Sequence, residues 1–158
     1  MGILGLPFEE RYGGMGAGPI EVGIVAHELG RVLAEAKELA GPLLEDQLLA
    51  ARFAVLENEL LALELTALRV VAHSADGKPH PASSVLKLKG TELQQAVTEL
   101  VVDLAGPASL ASGAEDDSAL PLWTRHATPT YLNFRKASIY GGSNEVQRQI
   151  IARTILGL

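Results

Sequence analysis

One seam of apolar residues constrains this chain more than any other feature. Leu49, Phe53, Leu56, Leu60, Leu63, Ala67 and Val70 follow one another at intervals of four and three. That alternation holds all seven on a single stripe of an α-helix. It predicts a helix from about Asp46 to His73, about 40 Å long at 1.5 Å per residue. Leu48, Val55, Leu65 and Leu68 widen the stripe, so the helix is expected to have neighbours on more than one side. A second seam, Leu86, Gly90, Leu93, Val97, Leu100 and Leu104, repeats the spacing and predicts a helix from near Pro81 to near Ala105. Gly90 on that seam permits a close backbone approach, at a cost of about 1 kcal/mol against Ala.

Breakers separate these elements from three others. Residues 1–18 are Gly-rich and read as a loop with several left-handed positions. Pro19 suits the first turn of a helix that runs to about Leu39, with Ile24, Val25, Leu29, Val32 and Leu33 on one side. Gly41-Pro42, the stretch Ser74–Pro81 and Gly106-Pro107 stop the chain between helices. A fourth helix is expected over Leu122–Ala137, kinked or split by Pro129. A Gly-Gly turn follows, and Ser143 caps a last helix that ends at Gly157. No segment alternates as a strand does. The pattern therefore predicts an all-α fold, an antiparallel four-helix-type bundle with an additional N-terminal helix. Its spare apolar surface favours self-association.

Composition removes several classes of function. The chain has 158 residues, enough for one domain with a substantial core. It has no Cys, so disulfides, Fe–S clusters, Cys-ligated zinc and thiol catalysis are excluded. A net charge of −6 argues against nucleic acid, which selects a basic excess. Aromatic residues make up only 4%, too few for base-stacking platforms. No run of 18 or more apolar residues exists to span a membrane, and no signal peptide is visible, so a cytoplasmic location is expected. His27, His73, His80 and His126 form no HExxH or HxxxH pair, so no metal site is expected. Glu57, Glu59 and Glu64, and the run Glu115-Asp116-Asp117, read as solvated surface. Trp123 reads as a packing residue.

The turn Gly141-Gly142-Ser143-Asn144-Glu145 is the most informative site. Two glycines free the backbone to bend, and Ser143 opens a helix whose unpaired N–H groups point toward the turn. Such an end favours anions and dipoles, including a phosphate or a flavin edge. It is also what an ordinary capped turn looks like. Arg135, Lys136, Arg148 and Arg153 flank it, either as anion readers or as the basic side of two helices.

The stretch IYGGSNEVQRQIIARTILGL, residues 139–158, closely resembles the C-terminal signature of acyl-CoA dehydrogenases, the flavoenzymes that desaturate acyl-CoA thioesters. Residues 5–35 resemble the Gly-rich loop and following helix of that family's N-terminal helical domain. Residues 46–107 resemble two long helices of its C-terminal domain, in wording nearest to actinobacterial branches, including those acting on steroid side chains. The resemblance thus divides the chain into 1–45 and 46–158. It implies a chain without the family's middle β-domain, without the RxxFG segment that clasps FAD, and without the first long helix of the C-terminal bundle. Residues 36–48 would mark the seam of that internal deletion. The N-terminal helix is then expected to replace the missing one, burying Ile24, Val25, Leu29 and Val32 against the 46–73 helix.

The same resemblance implies FAD as cofactor and acyl-CoA as substrate of the full-length family. It places flavin contacts at Ser143 and Glu145, with Gly142 in the same loop. The Gln-x-x-Gly-Gly patch near the FAD adenine falls on Asp103, Gly106 and Pro107, where Asp and Pro replace the Gln and the second Gly. Many members carry the catalytic base immediately after the signature Tyr. Here that residue is Gly141, which holds no proton, so no catalytic residue is assigned. The expectation is a family member that is not active alone. The alternative is a non-catalytic association module, or a partner subunit in a homo-oligomer or hetero-oligomer of related chains. A fatty-acyl or CoA carrier without redox chemistry is a third reading.

Overall fold

A computed structural model of the chain describes the backbone of residues 19–73, 80–110 and 120–158, with side chains at residue 27 and from residue 29 onward. Five α-helices make up most of it: α1 (Pro19–Ala40), α2 (Gln47–His73), α3 (Ser83–Ala105), α4 (Leu122–Phe134) and α5 (Asn144–Ile151). Among the described residues there is no strand. The all-α expectation therefore holds, and the seams at 49–70 and 86–104 lie within α2 and α3.

Side-chain pairs give the directions of packing. Lys37 of α1 meets Glu57 of α2 at 2.5 Å, and the missing side chain of Gly30 leaves room for Leu60, whose Cδ2 would lie 3.2 Å from an added Cβ. Late α1 thus faces early α2, and the two run antiparallel. Arg52 pairs with Asp103 at 2.7 Å and Glu59 with Lys89 at 3.0 Å, so α2 and α3 are antiparallel as well. The short α5 runs parallel to the first half of α3, with Lys87 bonded to Asn144 and Glu92 paired with Arg148. All of these ion pairs are exposed and contribute little each.

The core lies between α1, α2 and α3. Leu29, Leu33, Ala36 and Ala40 meet Phe53, Leu63, Ala67 and Val70, and these meet Leu86, Leu93, Val97 and Leu100. Leu49, Leu56, Leu60 and Leu104 pack at its edge. Leu29 is buried and Val32 half-buried against this core, as a helix serving the bundle requires. The side chains of Ile24 and Val25 lie outside the described residues.

One alternative for the fourth helix is corrected: Pro129 does not split it, and the helix runs through that residue. It sits on the exposed side, where water can satisfy the carbonyl freed one turn earlier. The α-helix ends instead at Phe134 and tightens into a 3-10 turn over Arg135–Ser138. α2 has neighbours on two sides, α1 and α3, as the widened stripe predicts, but Leu48, Val55, Leu65 and Leu68 themselves are exposed, Leu48 by 80%.

Candidate functional site

Chain geometry at the turn before α5 follows from its residues. Gly141 and Gly142 hold φ of 67° and 83°, a region that costs an L-residue about 1–2 kcal/mol. A Cβ on Gly142 would lie 2.7 Å from Gln147 Nε2. Gln147 is buried, and its Nε2 donates to the Gly141 carbonyl at 3.4 Å. The turn is therefore closed from within by a side chain of the helix that follows it. Ser143 takes the N-cap position with extended backbone, and its hydroxyl accepts from the Val146 N–H at 3.5 Å. At the far end, Gly157 has left-handed backbone with φ of 71°, as a helix-ending glycine does.

Beneath the turn is a buried polar cluster. The Lys87 ammonium, 1% exposed, donates to Asn144 Oδ1 at 3.0 Å. The Thr91 hydroxyl, fully buried, shares its proton between the Leu88 carbonyl at 2.9 Å and the same Asn144 oxygen at 3.2 Å. Burial pushes the Lys87 pKa below the ordinary value, and Glu145 pulls it partly back. The cluster ties α5 to α3 directly behind the Gly-Gly turn. Sequence reading overlooked it. Its signal was present: Lys87, Thr91, Gln94 and Thr98 step by 4, 3 and 4 beside the apolar seam, and all four are buried. A polar seam at helical spacing that parallels an apolar one marks an internal network.

Glu145 is exposed, and its carboxyl lies below the ordinary carboxylate range. Its own backbone N–H is the largest cause and the Ser143 hydroxyl the next, with Arg148 and Lys87 adding attraction. The open N-terminus of α5, read from sequence as favourable to anions, is thus already occupied by a carboxylate of this chain. Three of the four flanking cations have acidic or polar partners. Arg148 meets Glu92 at 3.2 Å. Arg135 lies 3.8 Å from Glu99 and stacks 4.2 Å over the Tyr131 ring. Lys136 donates to Asn133 at 2.8 Å. Tyr140, beside the turn, is half-buried, and burial raises its pKa.

Gly106 lies elsewhere. It caps the opposite end of α3 with φ of 55°, about 28 Å along that helix from Lys87. Its N–H donates to the carbonyls of Val102 and Asp103. The Asp103 carboxylate is paired with Arg52, so the acidic residue in this patch is offset by a neighbouring guanidinium. Pro107 is exposed beside it. Gly142, Ser143 and Glu145 therefore come together and Gly106 does not join them. Gly141 is buried and offers only backbone. Among the described residues no cluster of His, Asp or Glu has the makings of a metal site, and no helix is long and apolar enough to cross a membrane.

Comparison with known proteins agrees with this architecture. The family model for the acyl-CoA dehydrogenase C-terminal domain matches residues 13–156, which takes in α1 with the rest of the bundle. The acyl-CoA dehydrogenase IpdE1 of Mycobacterium tuberculosis is 31% identical over 135 residues, 85% of this chain and 32% of that protein. The acyl-CoA dehydrogenase IpdE1 of Mycolicibacterium smegmatis is 39% identical over 77 residues, 48% of this chain and 17% of that protein. The chain thus spans about a third or less of the length of these relatives. No solved structure matches at comparable significance. A helical bundle of this topology, ending in a Gly-Gly-Ser turn and a capped terminal helix and matched over nearly its whole length, belongs to the acyl-CoA dehydrogenase family through its C-terminal domain.

Proposed function

We propose that this chain is the helical domain of an FAD-dependent acyl-CoA dehydrogenase-type protein and does not desaturate acyl-CoA by itself. The observation that carries the reading is Gly141. It follows the signature Tyr140, where many family members place the base, yet it is a buried glycine with left-handed backbone. A proton-accepting side chain is missing from that position, and α-proton removal needs one held within reach of the substrate. FAD, where it is held, would accept the β-hydride. Ser143, Glu145 and Gly142 are this chain's contribution to its surroundings, and Gly106 serves a separate patch. Elements beyond the described helices must complete the pocket, including whatever supplies the oxyanion-stabilising pair.

α1 acts as a bundle helix in this reading, whichever domain residues 1–45 descend from. Its support is the shared core of Leu29 and Leu33 with Phe53 and Leu63. The substrate is proposed to be an acyl-CoA thioester, with a steroid-side-chain acyl group as the finer possibility suggested by actinobacterial wording. An association role, in a homo-oligomer or with a related subunit, follows from the exposed apolar surface of α2. The test is a dye-coupled acyl-CoA oxidation assay on the purified chain with excess FAD. The expected result is no turnover above a protein-free control with straight-chain or steroid-side-chain acyl-CoA. Turnover that tracks protein concentration would overturn the reading and demand a base on another residue.

A further inference from the structure

α5 is seated on the bundle by polar contact. Its buried residues are Asn144 and Gln147, three apart and so on one side of the helix. Among the described residues, neither the buried apolar cluster nor the side chains packed against it includes a residue of α5. Tyr140 does pack against that cluster. Between Tyr140 and α5 lie Gly141 and Gly142, both with left-handed backbone. Glycine moves between backbone regions at little cost, so this joint does not dictate how α5 is turned about its own axis. Apolar contact does not dictate it either, being non-directional. A hydrogen bond does, because it weakens steeply as it bends.

The bonds around the turn differ in what they refer to. Gln147 Nε2 to the Gly141 carbonyl, and the Val146 N–H to the Ser143 hydroxyl, lie within residues 141–147 and move with the helix. The links to α3 are of two kinds. Arg148 with Glu92 is an exposed ion pair at 3.2 Å, weak and screened by salt. Asn144 Oδ1 is buried, and accepts from Lys87 Nζ at 3.0 Å. Thr91 reaches the same oxygen at 3.2 Å, but its hydroxyl also faces the Leu88 carbonyl at 2.9 Å. We infer that Lys87 is a positioning residue: through Asn144 it fixes the rotation of α5, and with it the direction in which Ser143 and Glu145 are presented. Asn144 stands between those two in the chain. With its amide drawn inward to the ammonium, Glu145 is exposed and Ser143 half-exposed. A methionine at 87 would fill the space without giving a direction, and a buried polar bond of this kind selects one arrangement more than it adds stability. That Ser143 and Glu145 face a flavin rests on the function proposed above; the seating of α5 does not.

The test is the amide NMR spectrum of the full chain without flavin. The wild type is expected to give one signal for the N–H of Gly141, one for that of Gly142, and one pair for the Gln147 side-chain amide. Lys87→Met is expected to keep its far-UV circular dichroism and the amide signals of Phe53 and Leu63, while the turn signals split or broaden. In that variant the Gln147 backbone N–H, which donates to the Ser143 carbonyl at 3.0 Å, should exchange with solvent about 10-fold faster. Asn144→Asp keeps an oxygen acceptor for Lys87 and should keep single turn signals. Wild-type turn signals in Lys87→Met overturn the inference, as do multiple turn signals in the wild type or in Asn144→Asp. A Lys87→Met chain that fails to fold, or whose core amides exchange faster by the same factor, makes Lys87 a stability residue and overturns it as well. Flavin is absent throughout, so failure here leaves the proposed function standing. Flavin retention by the chain alone would in turn leave the seating of α5 standing.

Discussion

Replacing Asn144 by Ala will destabilise the protein by about 2–4 kcal/mol, more than any other polar change at the turn. The reason is the partner left behind. Lys87 is buried, and its ammonium donates to Asn144 Oδ1. Ala removes that acceptor and strands a charge in the interior. Lys87→Met is expected to cost about 1 kcal/mol or less, because the charge leaves with the side chain and Asn144 keeps its bond from Thr91. The two variants separate the cost of an unpaired charge from the value of the pair.

The same cluster fixes a pH dependence. Burial holds the Lys87 pKa below the ordinary 10.5, so the unfolded chain binds this proton more readily than the folded one. Between the lowered value and 10.5 the unfolded state carries more protons, and stability rises with pH across that window. Below the window the full penalty of the buried charge is present. Lys87→Met removes this rise. Urea unfolding at pH 7 and at pH 10 measures both effects. Equal stability of wild type and Asn144→Ala at pH 7 would show that the cluster does not hold the turn.

Phe53→Ala will cost about 3–5 kcal/mol by loss of burial and by the cavity it opens. Phe53 is 1% exposed and is the largest fully buried side chain among the described residues. It lies on α2 within the core shared with α1 and α3, so the loss falls on the joint of three helices. Leu122→Ala, on an exposed leucine of α4, should stay within about 0.5 kcal/mol. Chemical denaturation of both variants checks the contrast. A small change for Phe53→Ala would mean that the three helices do not share one core.

Apolar spacing made the bundle legible. The seams of α2 and α3 announce their helices because seven and six positions agree on one period, and the Ser74–Pro81 stretch and Gly106-Pro107 mark where they stop. The outer side of α2 was legible too, but as surplus: Leu48, Val55, Leu65 and Leu68 widen the stripe, and the packing of α2 on α1 and α3 leaves all four exposed. Whether Pro129 splits its helix was not legible, because a proline's cost depends on whether the freed carbonyl reaches solvent, which is a tertiary fact. At the turn, the two glycines and Ser143 declared the cap. They did not declare that Gln147 closes it from behind or that Glu145 fills the helix end, since both depend on side-chain direction. The Lys87 cluster was hidden by its composition, as lysine on a helix ordinarily reads as surface. Separation of Gly106 from Ser143 follows from the length of α3 and was readable once that helix was drawn.

The most direct test of the account is the visible absorption spectrum of the purified chain, recorded with added FAD and again after desalting. The account predicts a colourless protein after desalting, because Ser143 and Glu145 sit at one end of α3 and Gly106 caps the other, about 28 Å away. Flavin bands near 370 and 450 nm that persist in stoichiometric amount (roughly one per chain, as a tightly held cofactor requires) would contradict it and show that this chain closes a flavin site by itself.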